Sequence, residues 1–126
     1  MVGKTEKPTA EQQVRLKRIA SLPCICCQRE GIKQPNRTEV HHVISHGYRK
    51  HSGGHDSTIG LCVWHHRGLC LDDKTSSEML FDYGPSLALY KRQFVKTYGT
   101  ERELLARLEA GVQSAHEQDE GYPYLF

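Results

Sequence analysis

No apolar run in the 126-residue chain approaches the roughly eighteen residues that a membrane-crossing helix needs, so no membrane span is expected. The first twenty residues are polar and charged, which argues against a secretory signal and leads to the expectation of a reducing, cytoplasmic compartment. A large charge excess is missing too. The formal net charge of +2 is weak support for nucleic acid, so local basic clusters have to decide that question. Tandem repeats and long low-complexity blocks are absent, and the length suits one domain with a modest core. An even set of cysteines is also lacking: there are five, three of them within four residues, a spacing that suits thiolate ligands better than independent disulfides. With 37% hydrophobic residues and a chain broken by eleven glycines and five prolines, stabilisation by a bound metal is expected.

What is present is concentrated. Seven of the eight histidines lie between 41 and 66, with two adjacent pairs, His41-His42 and His65-His66. Upstream lies Cys24-Ile25-Cys26-Cys27. The gap of two between Cys24 and Cys27 repeats between Cys62 and His65, so these four residues are the expected ligands of a structural zinc ion. Cys26 stands as an alternative to one member of the first pair, and Cys70 reads as a spare packed thiol.

In chain order, residues 1–8 read as a flexible tail and Thr9-x-x-Gln12 as a capping box for a helix over 10–21, with Leu16, Ile19 and Ala20 as its buried stripe. Arg15, Lys17 and Arg18 are expected either on a solvated face or against phosphate. Residues 39–44 read as a short strand, on which neighbours face opposite ways, and 59–62 as the returning strand of a hairpin leading to a helix at His65-His66. Between them, the glycine-rich segment 45–58 carries Arg49-Lys50-His51, the best local candidate for phosphate contacts, with a plain solvated loop as the alternative. Asp72-Asp73 reads as ordinary loop surface, because no further carboxylate accompanies it at a magnesium-binding spacing. A helix is expected from Gly84-Pro85-Ser86 to about 97, and a second, capped by Thr100-x-x-Glu103, to about 115. The apolar end, Tyr122 to Phe126, either packs back or engages a partner.

If His65 binds the structural zinc, its neighbour His66 projects elsewhere and is free to join His41 on a second, open-sided metal site. His42, uncoordinated and with an intrinsic pKa of about 6.5, is then placed to accept a proton from an attacking water. The histidine pair on a strand, the glycine-rich loop and Leu61-Cys62-Val63-Trp64-His65-His66 together resemble the HNH endonucleases of the ββα-metal (His-Me finger) class. In detail they are similar to the small phage and prophage nucleases related to Ref, the RecA-dependent nuclease, over roughly residues 20–110. The resemblance implies an α+β fold: a small zinc-stabilised ββα-metal core over 22–82 and a helical extension over 86–116, within one nuclease domain at 9–118 that also carries the N-terminal helix and ends in an apolar tail at 119–126. It implies His41 and His66 as ligands of a catalytic divalent ion (Mg²⁺ or Mn²⁺, with Zn²⁺ or Ni²⁺ also compatible), His42 as general base, and Cys24, Cys27, Cys62 and His65 on structural zinc. It further implies DNA as substrate, with Arg49, Lys50, His51 and Arg67 as contacts, a RecA-type recombinase filament as partner, and action as a monomer or dimer in the cytoplasm of a bacterial host. The name-giving asparagine has no counterpart before Leu61-Cys62, and either His55 or Asp56 is near enough in sequence to orient His42, His55 being preferred. A noncatalytic zinc-stabilised DNA-binding module is the alternative, although it leaves the extra histidine in each pair without a role.

Overall fold

The computed structural model describes residues 7–43 and 54–118. Among the described residues there are six α-helices and one two-stranded antiparallel sheet: α1 (Ala10–Ser21), α2 (Ile25–Glu30), β1 (Thr38–His42), β2 (Thr58–Cys62), α3 (Val63–Arg67), α4 (Ser76–Tyr83), α5 (Lys91–Tyr98) and α6 (Glu101–Gln118). The mixed α/β content agrees with the α+β expectation. No helix among the described residues is long and apolar enough to cross a membrane. The basic loop residues Arg49, Lys50 and His51, the first six residues and the tail 119–126 lie outside the described residues.

Local signals set the helix starts. Thr9 and Gln12 form the expected reciprocal capping box on α1, and Thr100 and Glu103 form another at the start of α6. A third box, Thr75 with Glu78, opens α4 within a stretch that reads as a polar loop by composition. On α1 the buried residue is Ile19, Leu16 is half-buried and Ala20 is exposed, so the expected stripe is corrected: Leu22, just past the helix, completes the contact instead. The helix expected from residue 86 begins at Lys91, because residues 85–90 are non-helical, with a turn at 87–89 that still buries Leu87.

The hairpin pairs Thr38 with Cys62, Val40 with Gly60 and His42 with Thr58. β2 is buried along its whole length and β1 only partly, so the half-exposed strand carries the histidine pair. Trp64, Tyr98, Phe94, Ile59, Leu61, Met79, Leu104 and Leu108 fill the centre of the core. Arg15 is not a free phosphate contact: its guanidinium donates to the Thr58 hydroxyl and carbonyl, both at 2.9 Å, and pairs with Glu109 at 2.8 Å, tying α1 to β2 and α6.

Gly84 closes α4 at φ 89° and ψ 176°, a region essentially restricted to glycine. Its carbonyl accepts the Trp64 indole N–H at 2.8 Å, and a Cβ there would collide with the Tyr98 hydroxyl. Gly84→Ala is therefore expected to destabilise the fold by of order 1–3 kcal/mol, read from the midpoint of urea unfolding. An unchanged midpoint would contradict the packing described.

Candidate metal centre and active site

Cys24 immediately precedes α2 and Cys27 lies inside it, while Cys62 ends β2 and caps α3, on which His65 lies one turn on. All four are buried, and their ligand atoms lie within 4.8 Å of one another. His65 Nδ1 is 3.5, 3.4 and 3.2 Å from the sulfurs of Cys24, Cys27 and Cys62, and the Cys27 and Cys62 sulfurs are 3.9 Å apart. A tetrahedral zinc with Zn–S of about 2.3 Å and Zn–N of about 2.0 Å requires edges of about 3.5 Å for S···N and about 3.8 Å for S···S. The observed edges fit that tetrahedron, and the Cys₃His cluster could hold a structural zinc ion. The tautomer fits as well: His65 Nε2–H donates to the Tyr83 carbonyl at 2.8 Å, leaving the lone pair on Nδ1, toward the sulfurs. The Tyr98 hydroxyl donates to the same carbonyl at 3.3 Å.

The electrostatics of the thiols favour a cation. Burial opposes ionisation of Cys24, but hydrogen bonds from Cys26, Cys27, Cys62 and His65 outweigh it and hold that thiol low. Hydrogen bonding to Cys24 then raises Cys27, and raises Cys62 to about 12. One thiolate thus makes the next harder to form, a conflict that a bound dication removes. Burial raises Cys26, which lies beside the cluster without joining it. Cys70 is a half-buried thiol packed against the core.

The second constellation lies along β1. Glu39 and His41 alternate with Val40 and so share a face of the strand. The rings of His41 and His66 meet edge to face, with centroids 4.9 Å apart. Each is held by a carboxylate: His66 Nδ1–H donates to Glu39 at 2.9 Å, and His41 Nε2–H donates to Glu101, the first residue of α6, at 2.7 Å. Burial pushes His66 below the ordinary imidazole value even though Glu39 pulls the other way, and nearby His41 adds to the depression. His42 and His55 form a separate pair, Nε2 to Nδ1 at 3.0 Å, so of the two candidates beside His42 it is His55 that meets the ring. Asp56 instead accepts from the Gln12 side chain of α1.

Arg67 grips Glu39 with two bonds of 3.0 and 2.7 Å, and Arg37 adds a third partner at 3.1 Å. Although burial opposes it, Arg67 and His66 hold the Glu39 carboxyl below the usual carboxylate range. A carboxyl depressed in the folded state stabilises that state above its unfolded pKa, about 4.3, and loses the contribution as pH falls through the folded value. The melting-temperature gap between wild type and Glu39→Gln is thus expected to be full at pH 7 and to shrink below about pH 4. A gap that does not vary with pH would contradict this.

Two functional candidates escaped the sequence reading. Glu39 had a signal, since residues two apart on a strand share a face. Glu101 had none, because only the tertiary fold brings α6 to β1. A family model described as recombination enhancement, RecA-dependent nuclease, matches residues 8–113.

Proposed function

The chain belongs to the family of RecA-dependent nucleases of recombination enhancement, and on that premise we propose that it is a divalent-metal-dependent DNA endonuclease using a one-metal HNH mechanism. The observation that carries this reading is the pairing of His41 with His66, which lie outside the Cys₃His cluster although each adjoins a residue of it or of the catalytic pair. Two imidazoles fixed by carboxylates suit an open-sided metal site between strand and helix. When bound there, the ion would stabilise charge on the phosphate and on the departing 3′-oxygen.

His42 accepts the proton of the attacking water. With His55 Nδ1 as acceptor for His42 Nε2–H, the His42 lone pair resides on Nδ1, the nitrogen that takes the proton, and His55 does the orienting work of the missing asparagine. Arg49, Lys50 and His51 contact the DNA backbone. Arg67, whose side chain is 47% exposed while gripping Glu39, extends that surface. We read residues 9–118 as one nuclease domain, with a ββα-metal core over 22–82 that contains β1, β2 and α3, and a helical extension over 86–116. The family description names dependence on RecA; we read a RecA-type filament as the partner, and a role in phage or prophage recombination from the sequence resemblance. The donor set admits Mg²⁺, Mn²⁺, Ni²⁺ or Zn²⁺.

The test is a cleavage assay on supercoiled, linear and single-stranded DNA, over that panel of metals, with and without recombinase. Cleavage that requires a divalent ion beyond the tightly held zinc is expected. Binding without cleavage under every condition, with zinc intact, would favour the noncatalytic DNA-binding module instead.

A further inference from the structure

Glu101 reaches the histidine cluster from outside the hairpin and α3. It is the first residue of α6, one position after Thr100, which caps that helix through Glu103. Its Oε1 accepts from His41 Nε2 at 2.7 Å, and the two side chains are only 12% and 13% exposed. A bond this short between shielded groups is strongly charge-assisted, unlike a solvent-screened surface pair. The start of a helix also favours a negative charge, so the carboxylate is well suited to its position.

Two roles are open to such a group: ligand, or holder of a ligand. Among the described residues, only Cys24, Cys27, Cys62 and His65 form a group of three or more possible ligands whose atoms all lie within 4.8 Å of one another. His41, His66 and Glu101 therefore do not converge on one point, whereas the His41 to Glu101 contact is that of a ring N–H with its acceptor. The arrangement is repeated on the other histidine, where Glu39 holds His66 by Nδ1.

We propose, resting on the reading of His41 as a catalytic-metal ligand, that Glu101 is the positioning residue of His41. It keeps the proton on Nε2 and presents the unprotonated Nδ1, while Glu39 keeps the proton on His66 Nδ1 and presents Nε2. The two rings thus offer opposite nitrogens, each selected by its own carboxylate. The first turn of α6 is on this account part of the active site.

The experiment uses the zinc-loaded full chain. Long-range ¹H–¹⁵N spectra of the histidine side chains report the tautomer of His41, and titration with Mn²⁺ reports the second site. Wild type and Glu101→Gln, which keeps an acceptor oxygen, are expected to hold the Nε2–H form and similar Mn²⁺ affinity. Glu101→Ala is expected to lose the tautomer preference and about 10- to 100-fold in Mn²⁺ affinity, with zinc content unchanged. An unaltered tautomer or unaltered affinity in Glu101→Ala, with Mn²⁺ binding lost in His41→Ala, overturns the positioning role alone. Mn²⁺ binding that survives His41→Ala overturns the metal reading of His41 and this proposal with it.

Discussion

His42→Ala is expected to lower metal-dependent DNA cleavage by about 10²- to 10⁴-fold, the range associated with loss of a general base, while fold and zinc content stay as in the wild type. His42 is the last residue of β1, opposite Thr58 in register, and its side chain is only partly buried. Alanine there leaves no large cavity. It removes the contact with His55, but the four residues of the Cys₃His cluster stand elsewhere, on α2 and at the junction of β2 with α3. Zinc analysis alongside the cleavage assay separates the roles, since a base can be lost without loss of a structural ion. Loss of zinc in His42→Ala would sink the assignment of this residue as an uncoordinated base.

Cys62→Ala acts at the opposite end of β2 and is expected to remove zinc and most of the cooperative fold. Cys62 is fully buried, lies 3.9 Å from the Cys27 sulfur and 3.2 Å from His65 Nδ1, and accepts the His65 backbone N–H at 3.4 Å. The residue is therefore both a member of the Cys₃His cluster and the cap of α3. Structural zinc contributes about 10–16 kcal/mol in small zinc-dependent folds, comparable to the whole stability of about 5–15 kcal/mol typical of a domain. Cys26→Ala is the companion: it removes a buried thiol from the same turn without removing one of the four ligands, so zinc should be retained. A folded, zinc-retaining Cys62→Ala protein would contradict the clamp between α2 and α3.

How much of this was legible in the sequence depends on the range of the interactions. Spacing pointed to Cys24, Cys27, Cys62 and His65 as one ligand set, because the two-residue gap repeats and zinc demands four donors, but it left Cys26 open as a replacement in the first pair. The hairpin and the caps at Thr9 and Thr100 were legible from period-two and capping patterns. The box at Thr75 and Glu78 was equally local, yet the polar composition of 72–76 concealed α4, whose single buried residue, Met79, gives little periodicity. Ala20 shows the limit of helical periodicity: a stripe places residues on a face but not the depth to which that face is covered. The carboxylates were hidden for a different reason. Glu39 meets His66 across 27 positions, with only its place two residues before His41 on the strand as a hint, and Glu101 meets His41 across 60, a separation that leaves no local signature.

On the proposed mechanism adjacent histidines do different work: His65 would serve the structural ion, His41 and His66 the catalytic ion, and His42 the proton. The most direct measurement is the Mn²⁺ dependence of supercoiled-DNA cleavage by His41→Ala, His66→Ala, His42→Ala and wild type at equal zinc content. The His41 and His66 variants are expected to require higher Mn²⁺ to reach half-maximal rate, whereas His42→Ala is expected to keep the wild-type requirement with a much lower plateau. A wild-type Mn²⁺ requirement in His41→Ala and His66→Ala, or recovery of His42→Ala at high Mn²⁺, would contradict that mechanism.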